Sequence, residues 1–203
     1  MSFDITDYKL KHIVSLKEGY LNDTYVNLPI EGNEYKFKID QARSEIIELV
    51  IYFKYDEVKS EIGPLEKILK GYTYGKNYRE LNDHELYEIR FSKFNAKIDG
   101  KSYKFEITGA GPTALKVSLF LTYKIIEKEE TSLEKFFKEL ILKEYSDIIN
   151  NNPSYREKLK ILKEEDEKKQ AEIAKLDEEI RREQEEKERK WRELEARLNS
   201  NKP

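Results

Sequence analysis

The sequence predicts an α+β protein: two tandem strand-strand-strand-helix units whose strands form antiparallel sheet, followed by a long C-terminal helix with coiled-coil spacing. Three observations predict it. The first is an internal repeat. Residues 30–70 read again, without a gap, at residues 98–138, and the identities include Ile30/Ile98, Gly32/Gly100, Tyr35/Tyr103, Lys36/Lys104, Phe37/Phe105, Ile39/Ile107, Ala42/Ala110, Tyr55/Tyr123, Leu65/Leu133, Glu66/Glu134, Lys67/Lys135 and Lys70/Lys138. A repeated unit of this length is a statement about architecture. The second is alternation: Ile47/Leu115, Leu49/Val117, Ile51/Leu119, Phe53/Leu121 and Tyr55/Tyr123 are apolar at every other position in both copies, the period of a strand's core face. The third is the change of composition after Asn150. From Pro153 to Leu198 there is no glycine, no further proline and a dense mixture of Glu, Lys and Arg, which reads as one continuous helix. Residues 1–150 are thus a duplicated head, with repeat cores 30–70 and 98–138, and residues 151–203 a charged tail.

Each repeat opens on a hairpin signal, IEGNEYKFKI and IDGKSYKFEI, in which Gly32 and Gly100 supply the permissive turn position. Pro29 removes a ladder donor, so its strand belongs at a sheet edge or its residue at the turn. The third strand follows, and then a helix closes each unit. In the first copy Gly63 caps the helix, Pro64 fills its first turn and Gly71 is the expected stop. In the second, Thr131 and Glu134 form a capping box, and Leu133, Phe136, Phe137, Leu140, Ile141 and Ile148 recur on one face. Segments 8–16 and 74–84 have room for one further element each.

The tail opens at Asn152 or Ser154, the latter with Glu157 three residues on. Its apolar residues fall at Leu159, Leu162, Ile173, Leu176, Ile180, Trp191, Leu194 and Leu198, while Asp166, Lys169, Glu183 and Lys187 interrupt the seam and the phase slips before Trp191. This pattern predicts self-association through the tail, with a dimer as the expected state.

Composition narrows the function. The 203 residues include no cysteine, which removes disulfides, thiolate catalysis and cysteine-held zinc. The formal charge is only −3, unlike the strongly basic domains that rely on neutralising phosphate. The N-terminus has no basic segment followed by an apolar one, and no apolar run approaches membrane-spanning length; the expectation is a cytoplasmic chain with no membrane contact. His12 and His84 do not align at the repeat offset and read as structural or surface residues. Glu127, Glu129 and Glu130 read as solvated surface. Gly109, Ala110, Gly111 and Pro112 lack the helix and the Lys-Ser/Thr that a phosphate loop requires, and read as a connection between strands. No acid, base, nucleophile, metal ligand or cofactor site is nominated, so the expectation is a protein that is not an enzyme; a cleft with converging polar residues would reopen that question.

The best lead is the sheet face opposite the core. Tyr52 and Phe120 occupy equivalent positions amid polar neighbours, and in the second copy Arg90, Phe91, Lys93, Lys97, Lys101 and Lys104 interleave cations with an aromatic around the single acid Asp99. Aromatics among cations on a sheet are what single-strand binders present, since bases stack and phosphates pair. In outline, tandem strand-rich units ending in helices are similar to PUR-repeat and Whirly nucleic-acid-binding folds, a likeness of topology that assigns no binding residue here. The sequence therefore reads as an oligomeric interaction protein with a partner-binding head and a coiled-coil tail, a protein partner being preferred. The alternative is single-stranded nucleic acid held by the basic, aromatic hairpin of the second repeat.

Overall fold

In the computed structural model the backbone is described for residues 3–200 and the side chains for residues 3–193. The chain divides into two compact units, the first ending at Arg156 and the second beginning at Glu157. The first holds, in order, α1 (Leu10–Ser15), β1 (Tyr25–Ile30), β2 (Asn33–Ala42), β3 (Ile46–Lys54), α2 (Tyr55–Ser60), α3 (Pro64–Thr73), a single 3₁₀ turn (Tyr78–Glu80), α4 (Asp83–Ile89), β4 (Lys93–Ile98), β5 (Lys101–Ala110), β6 (Ala114–Thr122), α5 (Tyr123–Ile126) and α6 (Ser132–Asn150). The last helix, α7 (Pro153–Ser200), begins here and forms the second unit.

All six strands join one antiparallel sheet in the order β1-β2-β3-β6-β5-β4. The two copies meet at β3 and β6, where Val50 pairs with Ser118, its own equivalent in the other copy. On either side Glu48 pairs with Phe120 and Tyr52 with Lys116, two pairs that exchange under the same operation. A pseudo-twofold axis therefore runs through the Val50–Ser118 pair. The sheet curls until its edge strands approach, with the Lys97 N–H donating to Glu31 Oε1 at 3.4 Å. Pro29 sits on edge strand β1, as its missing donor requires.

The symmetry extends to backbone detail. Both hairpins turn on two left-handed residues, Glu31 (φ 47°) with Gly32 (φ 86°) and Asp99 (φ 51°) with Gly100 (φ 80°), the geometry that matches the twist of the flanking strands. Both β2 and β5 slip register at equivalent points, after Ile39 and after Ile107. Asp23 and Phe91, again equivalent, are left-handed, and their N–H groups donate to the Ile39 and Ile107 carbonyls at 2.8 and 2.7 Å. Glu61 and Glu129, one further identical pair, are left-handed in both copies and hold Lys70 and Lys138.

The core lies on the inner face of the curl. Phe37, Ile39, Ile47 and Leu49 meet Phe105, Ile107, Val117, Leu119 and Leu121, all essentially without solvent exposure. Phe94 stacks on Phe105 with centroids 5.5 Å apart. Ile51 is less covered than the rest of its row.

Behind each hairpin a helix supplies a buried carboxylate to a buried tyrosine. Tyr35 Oη donates to Glu66 Oε2 at 2.6 Å and accepts from Leu65 N at 3.2 Å. Tyr103 Oη donates to Glu134 Oε1 at 2.8 Å. A side chain at Gly63 would collide with Tyr35 Oη and lie 2.7 Å from Glu66 Oε2, so the first copy uses glycine as its cap to admit the tyrosine. The second places Thr131 there instead, and its hydroxyl bonds Tyr103 Oη at 2.7 Å and caps Glu134 N at 3.3 Å.

Several expectations change. Gly71 does not end α3; the helix continues through Thr73 and closes on left-handed Tyr74 and Gly75. Glu134 does not return to the Thr131 N–H as a full capping box would, because Glu130 N, Lys101 and Tyr103 occupy it. Besides Glu134, the residues buried on α6 are Leu133, Phe137, Ile141, Tyr145 and Ile149, a four-residue step that leaves Phe136 exposed and Ile148 half-buried. Tyr145 joins this face although the sequence pattern does not place it there, and its hydroxyl donates to the Lys17 carbonyl at 2.8 Å. Glu129 and Glu130 are exposed, as a solvated run would be, and hold Lys138 and Lys101; Glu127 is half-buried and accepts from Leu10 N. His12 is buried in α1, and His84 is exposed, 3.7 Å from Glu88.

Candidate functional site

The outer sheet face is built by strand alternation. Positions that alternate with the core row carry Tyr25, Lys38, Val50, Ser118, Glu106 and Lys93, and successive pairings join these six into one row crossing every strand. The middle of this face is closed by polar contacts between the copies. Ser118 Oγ donates to Glu48 Oε1 at 2.8 Å and lies 2.6 Å from Thr108 Oγ1. Lys116 Nζ reaches Asp40 Oδ2 at 2.9 Å and Glu48 Oε1 at 3.4 Å. Glu48 and Ser118 are buried, so this network fixes the sheet centre and is closed to a ligand.

On either side of the centre lies a matched patch. Asn27 pairs with Lys36 and, in the other copy, Asn95 pairs with Lys104. Two residues beyond the Lys38–Val50 pair, on the same face, stand Lys36 and Tyr52; the repeat equivalents are Lys104 and Phe120. Each copy thus exposes asparagine, lysine and a large aromatic, with Tyr52 57% exposed and Phe120 half-buried. Tyr25, also exposed, receives the Lys36 ammonium 4.8 Å from its ring centre.

The sequence-predicted residues fall into distinct environments. Arg90 and Phe91 precede β4: Arg90 donates to the Ala110 carbonyl at 3.1 Å, and Phe91 is 62% exposed on its left-handed backbone. Lys93 pairs with Glu106 at 3.2 Å. Lys101 lies 2.5 Å from Glu130 and 2.7 Å from Glu134, contacts that hold its ammonium protonated well above the usual lysine range. Burial works against the Glu134 charge, but Lys101, Tyr103 and the Glu130 N–H outweigh it and keep the carboxyl below its ordinary value. Lys97 and Lys104 are exposed, and their ammonium groups have no carboxylate partner among the described residues. Among the described residues no group of three or more His, Cys, Asp or Glu side chains is placed to hold a metal ion.

On α7, Asn152 is the cap, its Oδ1 accepting from Ser154 N at 3.1 Å with Pro153 in the first turn. Leu159 is buried and Leu162 half-buried, whereas Ile173, Leu176, Ile180 and Trp191 are 51%, 53%, 54% and 69% exposed. Leu194 and Leu198 lie outside the residues whose side chains are described. The remaining surface carries ion pairs three and four residues apart, such as Glu178 with Arg181 and Arg182. No described helix is long and apolar enough to cross a membrane.

Set against family models, curated proteins and solved structures, the chain matches none.

Proposed function

We propose that the protein is a non-enzymatic oligomeric interaction protein, in which α7 pairs with α7 of a second copy and each head offers its outer sheet face to a partner. The observation that carries this reading is the stripe Ile173, Leu176 and Ile180. These residues stand at the a/d spacing on an otherwise charged helix and remain half in water in the single chain. A second helix would cover them, and pairing would present two heads together, so that modest head contacts gain effective concentration. Light scattering after size exclusion tests it: the full chain runs as a dimer, and Ile173→Glu with Ile180→Glu runs as a monomer with an unchanged head by near-ultraviolet circular dichroism. A monomeric full chain at micromolar concentration overturns the reading.

The matched asparagine-lysine-aromatic patches favour a second reading, single-stranded nucleic acid on the outer face. Lys97 and Lys104 are the cations to change, since Lys93 and Lys101 already hold carboxylates. In fluorescence anisotropy with a labelled single-stranded oligonucleotide, Lys97→Glu with Lys104→Glu weakens binding and flattens its salt dependence. No binding of the wild type at low salt removes this reading.

A further inference from the structure

Tyr55 and Tyr123 are identical positions of the repeat, each following the third strand of its copy, yet their hydroxyls have different fates. Tyr123 Oη donates to the Arg43 carbonyl, in the β2–β3 turn of the other copy, at 2.5 Å. The repeat equivalent of Arg43 is Gly111, in the β5–β6 turn, and Tyr55 makes no such bond. Tyr55 is only 6% exposed, and among the described residues its hydroxyl has no hydrogen-bond partner. The other buried polar side-chain atom left unpaired among the described residues is Asn77 Oδ1. Both line one cleft of about 400 Å³, which also touches Lys54, Tyr78, Arg79 and Pro112. The cleft thus opens between the copies at the one tyrosine whose cross-copy contact is missing.

Buried polar groups in folded proteins are almost always paired, and two orphans in one cleft of ligand size point to a group that completes them. The chemistry of that group follows from theirs. Burial foremost, helped by Tyr78, pushes Tyr55 up to about 12, so at neutral pH it offers an O–H and needs an acceptor. Asn77 Oδ1 needs a donor. The ring of Tyr78, 6.1 Å from that of Tyr55, and Pro112 give the cleft flat, apolar wall. The Lys54 ammonium and the Arg79 guanidinium have no carboxylate partner among the described residues; Asp56 and Glu80 also line the cleft, and Glu80 Oε2 accepts the Asn77 N–H at 2.6 Å.

We propose that this cleft binds a nucleotide, with the edge of a planar base giving an acceptor to Tyr55 Oη and a neighbouring donor to Asn77 Oδ1, and the phosphate meeting Lys54 and Arg79. Every base carries a donor beside an acceptor, so the site reads the class before it reads the base. This inference rests neither on tail pairing nor on the outer face. Titration calorimetry of the full chain with each of the four ribonucleoside 5′-monophosphates tests it. At least one binds saturably; Tyr55→Phe weakens it about five- to tenfold, the loss of one neutral hydrogen bond. Asn77→Ala weakens it similarly, and Lys54→Ala with Arg79→Ala weakens the nucleotide but not the corresponding nucleoside. A single-stranded tetranucleotide that binds more tightly than any monophosphate assigns the base to a strand; one that binds no better assigns a free nucleotide. No saturable binding at millimolar monophosphate, or binding unchanged in Tyr55→Phe and Asn77→Ala, overturns the proposal.

Discussion

The two copies share a frame and divide in what they do with it. Identical residues hold the same place twice: Tyr35 and Tyr103 on Glu66 and Glu134, Lys70 and Lys138 on Glu61 and Glu129, and a glycine in each hairpin turn. Where the copies meet, they differ in complementary ways. Asp40 and Glu48 of the first copy face Lys116 and Ser118 of the second, contacts that two identical chains around a true twofold could form only by placing both partners on each chain. Joining the copies in one chain lifts that restriction at the axis. At Tyr55 and Tyr123 the same freedom leaves one contact made and the other open.

Substitutions at matched positions break or sharpen this comparison. The largest effect falls on the buried carboxylates. Glu134→Ala removes the acceptor for Lys101, Tyr103 and Glu130 N, and we expect a loss of roughly 3 kcal/mol in urea unfolding. Glu66→Ala costs about 1–2 kcal/mol, since Tyr35 keeps its bond from Leu65 N. Equal losses would show that the second copy's extra partners contribute nothing.

The same residue sets a pH dependence. The folded-state value of Glu134 lies below the unfolded 4.5, so its contribution is fully present above that pH and is lost as pH falls through the lower folded value. Urea unfolding of wild type and Glu134→Gln should therefore differ at pH 7 and converge in acid. A gap that widened in acid would reverse the sign of this argument.

Next comes the exchange of caps. Gly63→Thr puts the second copy's residue into the first and displaces Tyr35 from Glu66, at a cost of about 2 kcal/mol. Thr131→Ala loses a cap and a hydroxyl contact, about 1 kcal/mol. Thermal unfolding orders the two, and a tolerated Gly63→Thr would mean the first copy can adopt the second's arrangement. The smallest effects belong to the turns. Gly32→Ala and Gly100→Ala should each cost about 1 kcal/mol and agree within a few tenths, because both left-handed sites meet open space. Unequal costs would show that the hairpins are not equivalent.

Much of this frame was legible in the sequence because it was written twice. Alternation repeated across copies located the core row, and Gly32, Gly100, Gly63 and Pro64 marked the turns and the α3 start. Local signals failed where tertiary contacts decided. The strand period runs on into Tyr55 and Tyr123, which hid the short helices α2 and α5 that begin there. Glu66 and Glu134 carried no sign of burial, since Lys67 and Lys135 beside them are just as identical between the copies and stay exposed. The cleft had no sign either. It joins Tyr55 to the 74–82 linker and to a turn nearly sixty residues away, and it exists because a contact is absent.

The claim that one cross-copy contact is made and its equivalent is open is tested most directly by the melting temperatures of Tyr123→Phe and Tyr55→Phe without added ligand. Removing the Tyr123 hydroxyl strands the Arg43 carbonyl and should lower the melting temperature by several degrees. Removing the Tyr55 hydroxyl takes away an unpaired buried group and should leave the melting temperature unchanged or raise it. An equal fall in both variants would show that the Tyr55 hydroxyl is already satisfied, and would contradict the account.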